Sequence, residues 1–422
     1  MAVNILASDE GVFEQFTKAV NEGYSILLIK SEGGLKALTE KGGTVADAGF
    51  DGAVIARCYD LISSTETWGG ELNDKGELIF DPSTPSPGPH YYTNMLIGNR
   101  IGFVHPLQST PKSAVDSLGG GSFRSHADTQ VLATRWDYLP EENGFPANRQ
   151  FYLVENGKQI FWSGKAIADG LKKVQTVHSQ NRTIISYELE CGLKIKRTIF
   201  IVPQREGLPV ACEAQLIDIE NTTSADRDLR VVCTGMFGTK QTHALSEDVI
   251  FTTVVGESQV FFNENNEIRA VSADPNPNGT KGDIRFNETV VHSADGDVFA
   301  DQYACRYADF VGSGSLEKPE FIYPLASRPS RKGPGFFATS TPFTIKANGS
   351  VRVDNITCLS SDCVNDKFVI DQTPAEEVEA VAEYIKDPAN LAKDLQDVID
   401  FAGKYSNYMK ISHDDKNFEA YV

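Results

Sequence analysis

The chain has 422 residues, with 39 Lys+Arg against 58 Asp+Glu, a formal net charge of −19. Hydrophobic residues make up 41% and charged residues 23%, enough apolar material for a large core, which excludes wholesale disorder. A nucleic acid or an anionic membrane surface demands a basic face, and the longest basic cluster is Lys194, Lys196 and Arg197, so a neutral or weakly charged ligand is the expectation.

The seven cysteines (58, 191, 212, 233, 305, 358 and 363) form no CxxC, and Cys358 and Cys363 are the closest pair. They read as free thiols of a reducing, cytoplasmic compartment. The N-terminal stretch has no basic n-region, and no apolar run is long enough to cross a bilayer, so neither a signal peptide nor a membrane span is expected.

Residues 1–85 read as a mixed α/β extension. Asp9 caps a predicted helix whose Val12, Phe13, Phe16 and Val20 share one face, and Tyr24–Ile29 reads as a buried strand. Pro82, Pro85, Pro87 and Pro89 mark a boundary. Residues 86–370 carry the signature of a β domain. Leu193, Ile195, Ile199 and Ile201 alternate with Lys194, Lys196 and Thr198, and Arg197 breaks the apolar face, so that strand is expected to be partly exposed or its arginine paired. Val210–Ile219, Leu229–Cys233, Val260–Phe262 and Ile268–Val271 are further strands, and Asn156-Gly157 and Asn348-Gly349 carry hairpin-turn chemistry. About a dozen or more short strands in one block predict a mainly β fold, a large antiparallel sandwich.

The pattern changes at Thr373-Pro374-Ala375-Glu376, a capping box with proline at the first helical position. Its helix runs to about Lys386, and Asp387-Pro388 opens a second, with Leu391, Leu395, Val398 and Ala402 at helical spacing. Residues 371–410 are therefore expected to form a helical linker. In 411–422 an amphipathic pattern begins and is cut, expected as a truncated lead-in to a further domain.

Several stretches carry candidate chemistry. Ser109-Thr110-Pro111-Lys112 fits S-x-x-K without its companion motifs and reads as coincidence. Gly119-Gly120-Gly121 lets backbone approach a ligand closely, and Arg124 and His126 follow as donors to an oxygen-rich ligand; a plain loop is the alternative. The scattered histidines show no convergence of three or four ligands, so no metal site is expected. Asp137, Glu141 and Glu142 are candidate carboxylates for glycoside chemistry, with the surface as their default. Tyr91, Tyr92, Phe123, Phe145, Phe151, Tyr152, Phe161 and Trp162 could form a sugar platform, but in strands such residues more often build core. Arg331-Lys332-Gly333-Pro334-Gly335 reads as a phosphate nest or a solvated turn.

A set of ordered strings then narrows the reading. Pro87-Gly88-Pro89-His90-Tyr91-Tyr92, Leu96-Ile97-Gly98-Asn99-Arg100-Ile101-Gly102-Phe103, Gly121-Ser122-Phe123-Arg124-Ser125-His126-Ala127, Glu141-Glu142-Asn143-Gly144-Phe145-Pro146-Ala147-Asn148-Arg149-Gln150-Phe151-Tyr152, Thr234-Gly235-Met236-Phe237-Gly238 and Arg331-Lys332-Gly333-Pro334-Gly335-Phe336-Phe337-Ala338 occur in sequence. Together they resemble the N-terminal region of the cellobiose and cellodextrin phosphorylase family of inverting glycoside phosphorylases. The resemblance is dense from about 85 to 365.

It implies a supersandwich domain, a helical linker, an (α/α)6 barrel and a small C-terminal β domain, in a homodimer that cleaves a β-glucan end with inorganic phosphate to give glucose 1-phosphate. The family's general acid and phosphate clamp lie in the barrel, and no D-W-N-D-like string occurs here. No catalytic residue and no cofactor are therefore expected in this chain, which by itself should be inactive. N-terminal loops of the family reach the neighbouring subunit's substrate channel. On that basis Arg124, Ser125, His126, Arg149, Gln150 and Trp162 are our candidate sugar contacts, with a β-glucan oligosaccharide and the enzyme's own barrel as partners. The bland reading has Arg124 and Arg149 bracing the sandwich through Asp128 or Glu142. Alternatives are a stand-alone β-glucan-binding module, a part of a β-1,3-oligoglucan phosphorylase, or a distinct small enzyme using Asp137 or Glu142 as acid.

Overall fold

Strands buried on both faces read as continuous apolar runs, whereas strands with one wet face alternate. Both kinds occur here and set the layers. A computed structural model describes residues 25–31, 34–41, 44–47, 70–73, 75–83, 93–98, 110–125, 130–132, 148–209, 211–238, 257–274, 284–330, 335–359 and 374–414. The chain forms two units, 1–76 with 403–422, and 77–402.

In the first unit β1 (Ser25–Ser31), β2 (Gly34–Lys41) and β3 (Thr44–Asp47) make an antiparallel meander, and β4 (Gly70–Leu72) is a short strand. The strand expected at Tyr24–Ile29 is β1; the helix expected after Asp9 lies outside the described residues.

The second unit is mainly β, with two antiparallel sheets. The larger runs β17 (Glu257–Phe262), β18 (Ile268–Asp274), β19 (Arg285–Ser293), β23 (Ser350–Leu359), β15 (Ala211–Asn221), β14 (Leu193–Ile201), β13 (Arg182–Leu189), β12 (Leu171–His178) and β5 (Leu78–Phe80), with β20 (Gly296–Phe299) beside β19. The smaller runs β11 (Lys158–Trp162), β10 (Gln150–Glu155), β16 (Arg227–Phe237), β9 (Gln130–Leu132), β8 (Gly121–Arg124), β7 (Lys112–Val115) and β6 (Asn94–Ile97). β22 (Gly335–Ile345) also pairs with β16, and β21 (Gln302–Ala304) with β22. The sandwich read from the alternation is present.

Period two explains the core. On β10, Phe151 and Leu153 face the larger sheet and pack with Ile195, Ile217 and Val353, while Tyr152 and Val154 face outward. A second inner cluster gathers Val115, Phe123 and Val131 around Ile199 and Ile201. Both outer faces are roofed. Phe310 and Val311 of α1 (Tyr307–Val311), with Leu316 and Ile322, cover the smaller sheet. Val378, Val381 and Ile385 of α2 (Pro374–Lys386), with Leu391 and Val398 of α3 (Pro388–Asp414), cover Phe200, Leu216 and Ile356 of the larger. Each such fully buried side chain contributes about 1.5–3 kcal/mol.

The helix starts follow their sequence signals. Pro374 opens α2, and the Asp387 carboxylate accepts the Ala389 N–H at 2.9 Å ahead of α3. Arg205 ties α3 down, its Nε donating to Asp394 Oδ1 at 2.7 Å and a terminal nitrogen to Asp397 at 3.1 Å, while Tyr384 donates to Asp394 at 2.7 Å.

The hairpin turns divide. Asn156 and Gly157 both take positive φ, 52° and 73°, giving the tight turn expected between β10 and β11. At the second site Asn348 is left-handed at 53°, and four residues separate β22 from β23. There the Asn348 N–H donates to Thr223 O at 3.0 Å and Gly349 O accepts from Asn221 N at 2.9 Å, so tertiary bonds shape the loop.

Candidate functional site

The glycine run sits in the connection between β7 and β8. Asp116 closes it: its carboxylate accepts the Leu118 N–H at 2.9 Å and the Gly120 N–H at 2.8 Å, and its own N–H donates to Gly120 O at 2.9 Å. Gly119 has φ +84°, and a Cβ there would lie 2.3 Å from Arg197 Nη1. Gly121 has φ +121°, and its Cβ would lie 2.1 Å from Ala114 O. The close approach that the glycines permit is thus to protein groups.

Two enclosed arginines hold this hairpin from inside. Arg149, in the left-handed region at φ 60°, pairs with Glu213 through Nε and through Nη2 at 3.0 Å. Its Nη1 donates to Ala114 O at 3.2 Å and its Nη2 to Ser122 O at 2.8 Å, one bond to each arm of the hairpin. Neither side chain of the pair is more than 1% exposed. Ser113 donates to the same Glu213 carboxylate. Arg197, also enclosed, donates to Leu118 O at 3.0 Å and to Gln215, and lies over the Phe151 ring at 5.5 Å. Burial lowers the Arg197 pKa from its ordinary value, and burial pushes the nearby Tyr187 up to about 12.

The polar belt continues across the larger sheet. Gln215 donates to Asn355 at 3.0 Å, Asn355 to Asn287 and Thr289 at 2.9 Å each, and Asn287 to Thr357 at 2.9 Å. The register sets these contacts: Gln215, Asn355 and Thr289 are direct cross-strand partners, as are Glu213, Thr357 and Asn287. Thr289 meets Thr339 of the other sheet at 3.3 Å. Polar side chains in the gap between two sheets cost desolvation unless bonded, so this belt specifies one alignment of the sheets. A one-residue slip of β14 or β15 would turn Arg197 or Glu213 outward.

An open groove of about 660 Å³ lies elsewhere on the same unit, lined by Asn156, Gly157, Asp228, Arg230, Tyr323 and Thr344 among others. Tyr323 is 43% exposed, with the Arg230 guanidinium 5.3 Å from its ring centre. Arg230 is ion-paired to Asp301, and Asp228 accepts from Thr344 at 2.7 Å. An aromatic ring bordered by hydrogen-bonding groups is chemistry suited to a sugar.

Residues 111–388 match the model of the glycosyl hydrolase 94 supersandwich domain. The chain belongs to this family. No curated protein matches it. Among solved structures it is similar to one described as "Putative kojibiose phosphorylase from human microbiome", at 10% identity and TM-score 0.37, over 80% of this chain and 38% of that one. It is also similar to a galactose mutarotase related enzyme from Lactobacillus acidophilus (10% identity, TM-score 0.31, 66% of this chain and 100% of that one) and to heparinase III (9%, TM-score 0.29, 60% and 35%). The chain therefore spans 38% of the length of the first of these, and likeness at these levels carries no inference about activity.

Within the supersandwich the candidate residues separate. Arg124 ends β8 half-buried, and Ser125 beyond it is buried. His126 lies outside the described residues, as do Asp128, Asp137, Glu141, Glu142 and 331–334. Arg149 and Gln150 are interior: Gln150 Nε2 reaches Leu118 O at 3.4 Å and its Oε1 accepts from Ser163 at 2.6 Å. Trp162 is 5% exposed and stacks on Tyr152 at 5.9 Å on the outward face of the smaller sheet, beneath α1. As enclosed groups, Ser125, Arg149, Gln150 and Trp162 present no surface to a sugar, which corrects their assignment as direct contacts. Arg149 braces the sandwich as the bland reading had it, with Glu213 as its partner. Arg197, Glu213, Gln215 and the Tyr323 groove were not among the candidates. Among the described residues no group of His, Cys, Asp and Glu is arranged to hold a metal, and no helix is long and apolar enough to cross a membrane.

Proposed function

We propose that this chain is the sandwich portion of an inverting glycoside phosphorylase of the cellodextrin type, in which inorganic phosphate attacks a β-glucan end to release glucose 1-phosphate. The match of residues 111–388 to the supersandwich model carries the reading. In it the chain scaffolds a catalytic barrel, contributes to a homodimer in the cytoplasm and shapes the acceptor subsites. The β7–β8 hairpin suits the last task. Arg149 and Arg197 lock it from behind, so Arg124 at its far end would meet sugar hydroxyls without first being ordered.

Inverting phosphorolysis needs an acid at the leaving oxygen and a clamp on phosphate, held together to about a few tenths of an ångström. We assign neither to this chain. Incubated alone with cellodextrin and phosphate, it should release no glucose 1-phosphate; combined with a separately produced barrel portion, it should. Turnover by the chain alone would overturn the assignment. Titration with cello- and laminari-oligosaccharides separates β-1,4 from β-1,3 preference, and Arg124→Ala should weaken whichever binding is found.

The groove favours a second reading, a β-glucan-binding module. It predicts calorimetric binding of cellohexaose that Tyr323→Ala abolishes and Arg124→Ala leaves intact.

A further inference from the structure

Cys212 on β15 and Cys358 on β23 face each other in register across two neighbouring antiparallel strands. Cys212 directs its carbonyl the other way, to the Val202 N–H at 2.9 Å just beyond β14. Its backbone groups therefore point away from β23, and the two cysteines form a pair without backbone hydrogen bonds between them. Such pairs hold their Cα atoms about 4.5 Å apart, inside the span of about 4.4–6.8 Å that a disulfide bridges. The two Sγ atoms lie 3.3 Å apart, with the Cys358 thiol donating to Cys212 and the Cys212 thiol to Pro209 O at 3.6 Å. Both belong to the apolar cluster roofed by Val378 and Val381 of α2, and both are free thiols in the structure.

We propose that Cys212 and Cys358 are a masked dithiol that a two-electron oxidant closes into a cross-strand disulfide. With hydrogen peroxide as oxidant, one sulfur attacks an oxygen of the O–O bond, giving a sulfenic acid and one water. The second sulfur then displaces the sulfenic hydroxyl, forming the S–S bond and releasing a second water. Two thiols and one peroxide give one disulfide and two waters; sulfur is oxidised and peroxide oxygen reduced. Burial holds the Cys358 thiol well above its ordinary pKa, which suppresses the attacking thiolate while α2 is docked. The bond would join strands whose cysteines are 146 residues apart in the chain, beneath the helical roof.

The test uses the full chain in two arms: native protein exposed to hydrogen peroxide, and denatured protein refolded in a mixture of reduced and oxidised glutathione. Each is quenched with iodoacetamide, digested without reductant and mapped by mass spectrometry. The expected result is a linked peptide joining Cys212 to Cys358, two hydrogens lighter than the sum of its free peptides. It should be abundant after refolding, slower to form in the native arm, and absent from Cys358→Ser. Recovery of both cysteines as alkylated thiols in both arms overturns the proposal. So does a link from Cys358 to Cys363 in place of Cys212.

Discussion

Replacing Arg149 with methionine tests whether the polar belt aligns the two sheets. The substitution keeps an unbranched apolar chain as far as the Nε position and removes both contacts with Glu213 and the bonds to Ala114 O and Ser122 O. Glu213 is left enclosed, with Ser113 the donor that remains to it among the described residues. Removing one partner of a buried ion pair costs about 3–5 kcal/mol, because the survivor stays desolvated and unpaired. At about 2 °C per kcal/mol for a large domain, Tm should fall by ~6–10 °C. Urea denaturation followed by circular dichroism gives the free energy directly. The companion is the double variant Arg149→Met with Glu213→Leu, which removes both charges. It should recover most of the loss, since apolar groups of similar volume commonly replace a buried pair at little cost. A single variant that loses under about 1 kcal/mol, or a double variant as unstable as the single, would refute the view that the surviving charge is what destabilises.

Three further expectations rest on separate features. Gly119→Ala should destabilise more than Gly170→Ala: both positions have positive φ, near +84° and +81°, but at Gly119 the new Cβ strikes Arg197, whereas no described residue lies within 4 Å at Gly170. The Gly170 variant isolates the backbone cost of about 1–2 kcal/mol, and urea midpoints read the difference. Burial disfavours the charged form of His292, but Asp354, 3.3 Å from its Nε2, and Asp297, 2.8 Å from its Nδ1, outweigh it and raise the pKa above 6.5. The folded state then binds the proton more tightly than the unfolded chain, so this stabilisation is complete below about pH 6.5 and is lost as pH rises through the folded value; His292→Gln should flatten that stretch of the stability–pH curve. Arg205→Ala leaves Asp394 enclosed without its guanidinium and should cost about 2–3 kcal/mol, seen first as faster hydrogen exchange in α2 and in α3 up to Ala402.

What was legible beforehand has local causes. The Asn156-Gly157 turn needs two left-handed residues in a row, and that dipeptide supplies them wherever it falls between strands. Pro374 and Pro388 open helices because their missing N–H has no partner to lose there. β14 announced itself by alternation, and Arg197 on its apolar face was a visible sign of a polar interior.

The remainder of the belt was hidden because its bonds join positions far apart in the chain. Arg149 and Glu213 are separated by 64 residues, and Gln215 and Asn355 by 140. One further signal existed: Glu213 shares the inward parity of Ile217 and Ile219 on β15, so a charge there needs a buried partner. That parity could not have named Arg149, which lies in a turn ahead of β10, where no period assigns a face. The glycine run shows the same boundary from the other side. Absence of a Cβ at Gly119 announces that something comes close, but the residues alone leave a ligand contact and a plain loop equally open. The space is filled by Arg197, whose residue type is equally suited to gripping a sugar oxygen or a backbone carbonyl. The deciding quantity is which side of the sheet the guanidinium occupies. That is settled when β14 pairs with β15, and by nothing within either segment alone.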